Sequence, residues 1–130
     1  MDNRPIGIFD SGVGGLTVAK EILKALPNEN IVYFGDTARV PYGDKSKEVV
    51  TKYSKQIVRF LLTKNVKAII TACNTVSSNS LDDLRSEFDV PFVGVVEPGV
   101  KSVINTTVNK KVGIIGTEAT IRSCMYSRLI

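Results

Sequence analysis

The chain has 130 residues, 43% of them hydrophobic, enough to bury the core of one ordinary domain and too many for a disordered or fibrous protein. Its net charge of +4 comes from 17 basic residues spread among 13 acidic ones, and the densest basic group, between Lys45 and Lys67, falls mostly on one amphipathic helix, where it reads as a solvated face rather than a nucleic-acid surface. There is no histidine, which excludes Ser-His-Asp and Cys-His catalysis within these residues and leaves thiol, carboxylate, amine, phenol and hydroxyl groups to do any chemistry.

In chain order, Pro5 to Phe9 reads as a first strand, followed by Asp10-Ser11 and the glycine-rich turn Gly12-Val13-Gly14-Gly15. A helix follows, with Leu16, Ala19, Ile22, Leu23 and Leu26 spaced as one buried stripe and Pro27 as its stop. Asn30 to Gly35 gives a second strand ending at Asp36, and the loop through Val40-Pro41-Tyr42-Gly43 leads to a long helix marked by Val49, Val50, Tyr53, Ile57, Phe60 and Leu61.

Val66 to Ala72 has the β-branched, apolar composition of a buried parallel strand, and it runs directly into Cys73-Asn74-Thr75, where a new helix begins. That helix continues through Leu81, Leu84 and Phe88. Pro91 to Val96 reads as a fourth strand ending at Glu97-Pro98-Gly99, Val100 to Ile104 as a short helix, Lys111 to Gly116 as a fifth strand, and Ile121, Met125 and Leu129 as one last helix. That helix meets Ile130 with no capping glycine, so the sequence reads as cut short. The alternation predicts an α/β fold with a doubly wound parallel sheet.

The longest apolar run, Val90 to Val96, is broken by Pro91 and Gly94 and is too short to span a bilayer, and no basic, then apolar, leader opens the chain. A cytoplasmic protein is expected, with no membrane partner. Cys73 and Cys124 form no C-x-x-C pair, which fits a reducing compartment and argues against a disulfide framework or a zinc site.

Asp10 and Ser11, Asp36, Cys73 with Asn74 and Thr75, Glu97 and Thr117 all fall at strand C-terminal ends, the edge where open α/β sheets bind ligands. Each alone can be a cap or turn former. Together, several carboxylates at one edge favour a polar site, because desolvating them unused is costly. A thiol before a helix N-terminus is expected to gain thiolate character from the helix dipole.

The turn Gly12-Val13-Gly14, with Asp36 closing the next strand, is most of a dinucleotide fingerprint, but Thr17 holds the third glycine position and Asp10 sets a carboxylate where a pyrophosphate would lie. The turn's backbone N–H groups suit a smaller anion, such as a substrate carboxylate. A nucleotide-dependent oxidoreductase and a non-catalytic ligand-binding module stay open beside direct proton abstraction by a thiolate.

Five segments carry a specific resemblance: Ile8 to Val18, Gly35-Asp36 with Val40 to Gly43, Thr71 to Thr75, Gly94 to Gly99, and Val112 to Thr117. Together they resemble the N-terminal half of the glutamate racemases, in the aspartate/glutamate racemase family. The resemblance implies an isomerase without cofactor or metal that interconverts L- and D-glutamate for bacterial peptidoglycan, with glutamate as its small-molecule partner and a homo-oligomer as a possible assembly. It makes Cys73 one of two catalytic cysteines and Asp10 a helper in proton transfer. Asp10, Ser11, Pro41, Tyr42, Gly43, Asn74 and Thr75 become substrate contacts, and Thr117 either touches substrate or only caps the last helix.

The family's second cysteine lies in a Cys-Thr-His segment absent here. Cys124, inside the last helical pattern, reads as a packing residue. The resemblance also divides the chain into a first α/β domain over 1–97 and the beginning of a second over 98–130, and these 130 residues alone are expected to be inactive.

Overall fold

A computed structural model describes residues 1–130. The element order is β1 (Ile6–Asp10), α1 (Leu16–Ala25), β2 (Ile31–Gly35), α2 (Lys47–Thr63), β3 (Ala68–Thr71), α3 (Asn74–Asn79), α4 (Leu81–Glu87), β4 (Phe92–Gly94), α5 (Val96–Thr106), α6 (Glu118–Arg122) and α7 (Met125–Leu129). The four strands are parallel, in the order β2-β1-β3-β4. No helix is long and apolar enough to cross a membrane.

β1 is buried at every position because it has a neighbour on each side and helices on both faces. Alternate residues sort to opposite faces. Phe9, Ile69 and Phe92 pack with Val50, Ile57, Val58 and Leu61 of α2 and with Val76, Leu81 and Leu84 of α3 and α4, forming the larger core. Ile6, Ile8 and Ile70 pack with Ala19 of α1 on the other face. The doubly wound arrangement read from the sequence is therefore present.

Several details differ from the sequence reading. In α1 only Ala19 is buried, while Leu16, Leu23 and Leu26 stay 51%, 49% and 45% exposed, because α1 is alone on its side of the sheet and only its innermost line meets the strands. The helix after Cys73 is two helices that meet at Ser80. Strand β4 is three residues long, and Pro98 and Gly99 lie in the first turns of α5 rather than in a loop, where proline's missing N–H costs no helical hydrogen bond. Lys111 to Gly116 forms no strand: it has the right composition but no neighbouring strand to supply ladder hydrogen bonds, and Ile115 is 99% exposed.

Candidate active site

The chain leaves β1 towards β2 on one side and returns to β3 on the other, so the crevice at the sheet's switch point opens between the C-terminal ends of β1 and β3. Phe9 pairs with Thr71, and the amide of Ala72 donates to the Phe9 carbonyl across 2.8 Å. This register brings Asp10 and Ser11 beside Cys73.

Cys73 caps the N-terminus of α3 in extended conformation and is 5% exposed. Its thiol donates to Ser11 Oγ at 3.7 Å. Burial pushes the thiol pKa up, the Val76 N–H at the start of α3 and the Ser11 hydroxyl pull it down, and the charge of Asp10 pushes it up again; the balance is upward. The helix N-terminus acts in the direction expected from the sequence, but desolvation outweighs it, so the resting group is a thiol rather than a thiolate.

Asp10 is buried and spends one oxygen on the glycine turn: Oδ2 accepts from the amides of Gly12 at 3.2 Å and Gly15 at 3.0 Å. A Cβ on Gly15 would come within 2.6 Å of Asp10 Cβ and 2.9 Å of Ala72 Cβ, so the turn can lie against the strand ends only with glycine there. The Tyr33 hydroxyl donates to the Gly12 carbonyl at 2.9 Å and fixes the turn from the β2 side. Two of the amide donors expected to meet an external anion are thus already taken by Asp10, which removes most of the physical basis for a pyrophosphate cradle. Asp10 Oδ1 takes no hydrogen bond from the chain.

The opposite wall is built by hydroxyls. Thr75 Oγ1 pairs with Thr117 Oγ1 at 2.8 Å, and Thr117 Oγ1 pairs with Thr120 Oγ1 at 2.9 Å while accepting from the Thr120 amide at 3.3 Å. Thr117 therefore both caps α6 and joins the site. Gly43 sits against this cap: a Cβ there would lie 2.5 Å from Thr117 Cβ, and its carbonyl accepts from the Ala119 amide at 3.1 Å. Asn79 Nδ2 donates to the Ala119 carbonyl at 3.2 Å and ties the same helix to α3. Asn74, exposed at the first position of α3, accepts a hydrogen bond at Oδ1 from the Tyr126 hydroxyl at 2.6 Å.

Not every sequence-derived residue presents a side chain here. Tyr42 is 1% exposed and its hydroxyl donates to the buried Asp36 carboxylate, which also accepts from Arg39 Nε at 2.7 Å. Desolvation, then the Asp36 hydrogen bond, raises the Tyr42 phenol above its ordinary pKa. The Tyr42 carbonyl in turn accepts from the Lys45 amide at 3.1 Å, so the residue serves to hold the loop. Pro41 is exposed at the rim. Asp36 is a loop anchor, and Glu97 lies outside the site, exposed in the first turn of α5 and paired with Arg85 at 3.3 Å.

Cys124 is not a packing residue. It is exposed, with φ of 54°, at a break between α6 and α7. The break has a local cause: Ser123 Oγ donates to the Thr120 carbonyl at 2.7 Å and accepts from the Met125 amide at 3.2 Å, substituting side-chain bonds for helical ones.

Tyr33, Thr120 and Tyr126 are absent from the sequence reading. Thr120 carried a signal, three residues after a capping threonine. Tyr126 carried none, since a continuous final helix would have pointed it elsewhere.

Comparison with known proteins gives the family. The chain is 53% identical over 130 residues to the glutamate racemase of Lactococcus lactis subsp. cremoris strain MG1363 and 55% identical over 130 residues to that of Geobacter metallireducens. Each alignment takes in 100% of this chain and 48% of the relative, so the chain spans about half the length of the curated relatives it matches. The glutamate racemase structure from Aquifex pyrophilus superposes with a TM-score of 0.94 at 52% identity, over 96% of this chain and 50% of that one. The Francisella tularensis glutamate racemase, solved in complex with D-glutamate, gives 0.88 at 46% identity, over 98% and 48% of the two chains. The family model described as Asp/Glu/Hydantoin racemase matches residues 6–130, nearly the whole chain, and the chain belongs to that family.

Proposed function

We propose that this chain supplies one side of the active site of a cofactor-independent glutamate racemase, with Cys73 as the acid–base group for one face of the substrate. The observation that carries this reading is the Cys73 thiol at the end of β3, buried, hydrogen-bonded to Ser11 and flanked by Asp10. Proton transfer at an α-carbon needs one group that is a base in one direction and an acid in the other. A resting thiol serves directly as the acid. As the base it first gives up its proton, and the Asp10 carboxylate, close enough for its charge to act on the thiol, is the acceptor in this reading.

In the direction that starts at Cys73, the Cα–H bond breaks, the proton passes to Sγ, and the electron pair spreads into the adjacent carboxylate. A second thiol on the opposite face, from outside residues 1–130, returns a proton to Cα. Ser11, the Asn74 and Thr75 end of α3, the backbone at Tyr42 and Gly43, and Thr117 hold the carboxylates and offset the charge that develops on them. In this reading residues 1–97 form a first α/β domain and 98–130 begin a second, and these 130 residues alone do not racemise glutamate.

The test is racemisation of each glutamate enantiomer by the complete gene product, followed by circular dichroism, with α-hydrogen exchange in D2O as a second readout. Cys73→Ala is expected to abolish two-way racemisation. Undiminished turnover in that variant removes Cys73 from the mechanism, and turnover by residues 1–130 alone removes the need for a second thiol from outside them.

A further inference from the structure

Asn74 and Tyr126 are 52 positions apart, yet the Tyr126 hydroxyl donates to Asn74 Oδ1 at 2.6 Å. The contact exists because the chain breaks at Ser123 and Cys124: α6 stops at Arg122, Cys124 takes φ of 54°, and α7 sets off in a new direction that returns Tyr126 to the start of α3. The Tyr126 ring is partly buried, and desolvation holds its phenol above the ordinary pKa, so the hydroxyl keeps its proton. Gly99 of α5 lies beside the ring, where a Cβ would sit 3.6 Å from Tyr126 Cε1 in ordinary contact.

A carboxamide has two chemically opposite ends, an accepting oxygen and a donating NH2. With Oδ1 engaged by a phenol that donates, the end that remains is Nδ2, which has no partner within the chain. Were the amide turned over, the accepting oxygen would be left over instead, and beside an anionic substrate that is repulsive. A phenol can also accept, so Tyr126 alone admits both orientations; of the two, only the one seen, with Oδ1 on the phenol, leaves a donor for an anion.

We propose that Tyr126 is a positioning residue: by donating to Asn74 Oδ1 it fixes the carboxamide with its NH2 end free to bind a carboxylate of the substrate next to Cys73. The inference rests on the racemase reading above and adds a residue to it. In this role Tyr126 acts through Asn74 and not on the reacting atoms.

Tyr126→Phe keeps the ring and removes only the hydroxyl. In the complete gene product it is expected to raise KM for both glutamate enantiomers about fivefold to tenfold, the worth of one hydrogen bond, with a smaller change in kcat. Asn74→Ala raises KM as well, and the double variant Asn74→Ala/Tyr126→Phe is no worse than Asn74→Ala alone, because the phenol acts only through the amide. An unchanged KM in Tyr126→Phe, or effects that multiply in the double variant, overturns the positioning role while Cys73-dependent turnover of the wild type still stands. A wild-type protein with no activity on glutamate overturns both readings together.

Discussion

The Cys73 thiol donates to Ser11 Oγ across 3.7 Å, and this contact joins the C-terminal ends of β3 and β1 over the crevice of the sheet. A hydroxyl that accepts from a thiol can turn and donate to a thiolate, so Ser11 can follow Cys73 through both of its protonation states. Desolvation works against the thiolate here, and Ser11 is one of the few groups that favour it.

The consequence is a measurable titration. Because burial raises the Cys73 pKa, less of this thiol than of a free cysteine is ionised near neutrality, and only the thiolate is alkylated. Iodoacetamide labelling of the Cys73 peptide, followed by mass spectrometry across a pH series, is expected to accelerate through a midpoint above the ordinary thiol value. Ser11→Ala moves that midpoint further up by removing a bond to the thiolate, and Asp10→Asn moves it down by removing a neighbouring negative charge. A wild-type midpoint below the ordinary thiol value would contradict the balance of burial over the helix N-terminus.

Gly43 makes a second prediction through its contact with Thr117. A Cβ at Gly43 would meet Thr117 Cβ at 2.5 Å and Cγ2 at 2.6 Å, too close for either atom to stay in place. Gly43→Ala therefore pushes the cap of α6 off the loop, weakening the Ala119 to Gly43 backbone bond and disturbing the Thr75–Thr117 pair. The expected loss is about 1–3 kcal/mol of stability, as for other overpacked sites, read from the urea midpoint. Under the proposed racemase reading, the complete gene product carrying this change should also show a higher KM for glutamate. Wild-type values of both would mean that the loop and the cap move apart at no cost.

How much of this was legible in the sequence follows from which forces are local. The strand ending at Cys73 and the turn at Gly12 to Gly15 announce themselves by composition, since buried parallel strands and tight turns admit few residue types. That Ser11 and Cys73 touch depends on strand order, a tertiary choice that periodicity does not encode. Lys111 to Gly116 misleads for the same reason: its residues favour a strand, but a strand needs a partner. Tyr42 reads as a site residue, but its side chain turns inward to Asp36, a direction set by burial of the ring. The break at Ser123 and Cys124 has the least sequence signal, because an apolar pattern runs straight across it.

Ser77 supplies the last prediction, on the scaffold beneath the thiol. It sits one turn after Cys73 in α3, and its Oγ is the centre of a buried cluster: it pairs with Thr71 Oγ1 at 2.9 Å, donates to the Thr71 carbonyl at 3.0 Å, and accepts from the Val95 amide at 3.2 Å. One hydroxyl thus ties α3 to the end of β3 and to the exit of β4. Gly94 is shaped around it, since a Cβ there would come within 3.2 Å of Ser77 Oγ and 2.7 Å of Leu81 Cδ2. Ser77→Ala leaves the Val95 N–H without this acceptor and Thr71 without its hydroxyl partner, with an expected cost of about 1–3 kcal/mol, the range for an unsatisfied buried polar group. Thr71→Val also breaks the hydroxyl pair but leaves Ser77 able to donate to the Thr71 carbonyl and to accept from Val95, so its cost should be smaller. The double variant should cost less than the sum of the two, because the Thr71–Ser77 bond is counted in both. Urea denaturation of the four proteins gives the cycle directly. Strict additivity would mean that the two hydroxyls act independently and that the Thr71–Ser77 side-chain bond contributes nothing to holding α3 on the sheet.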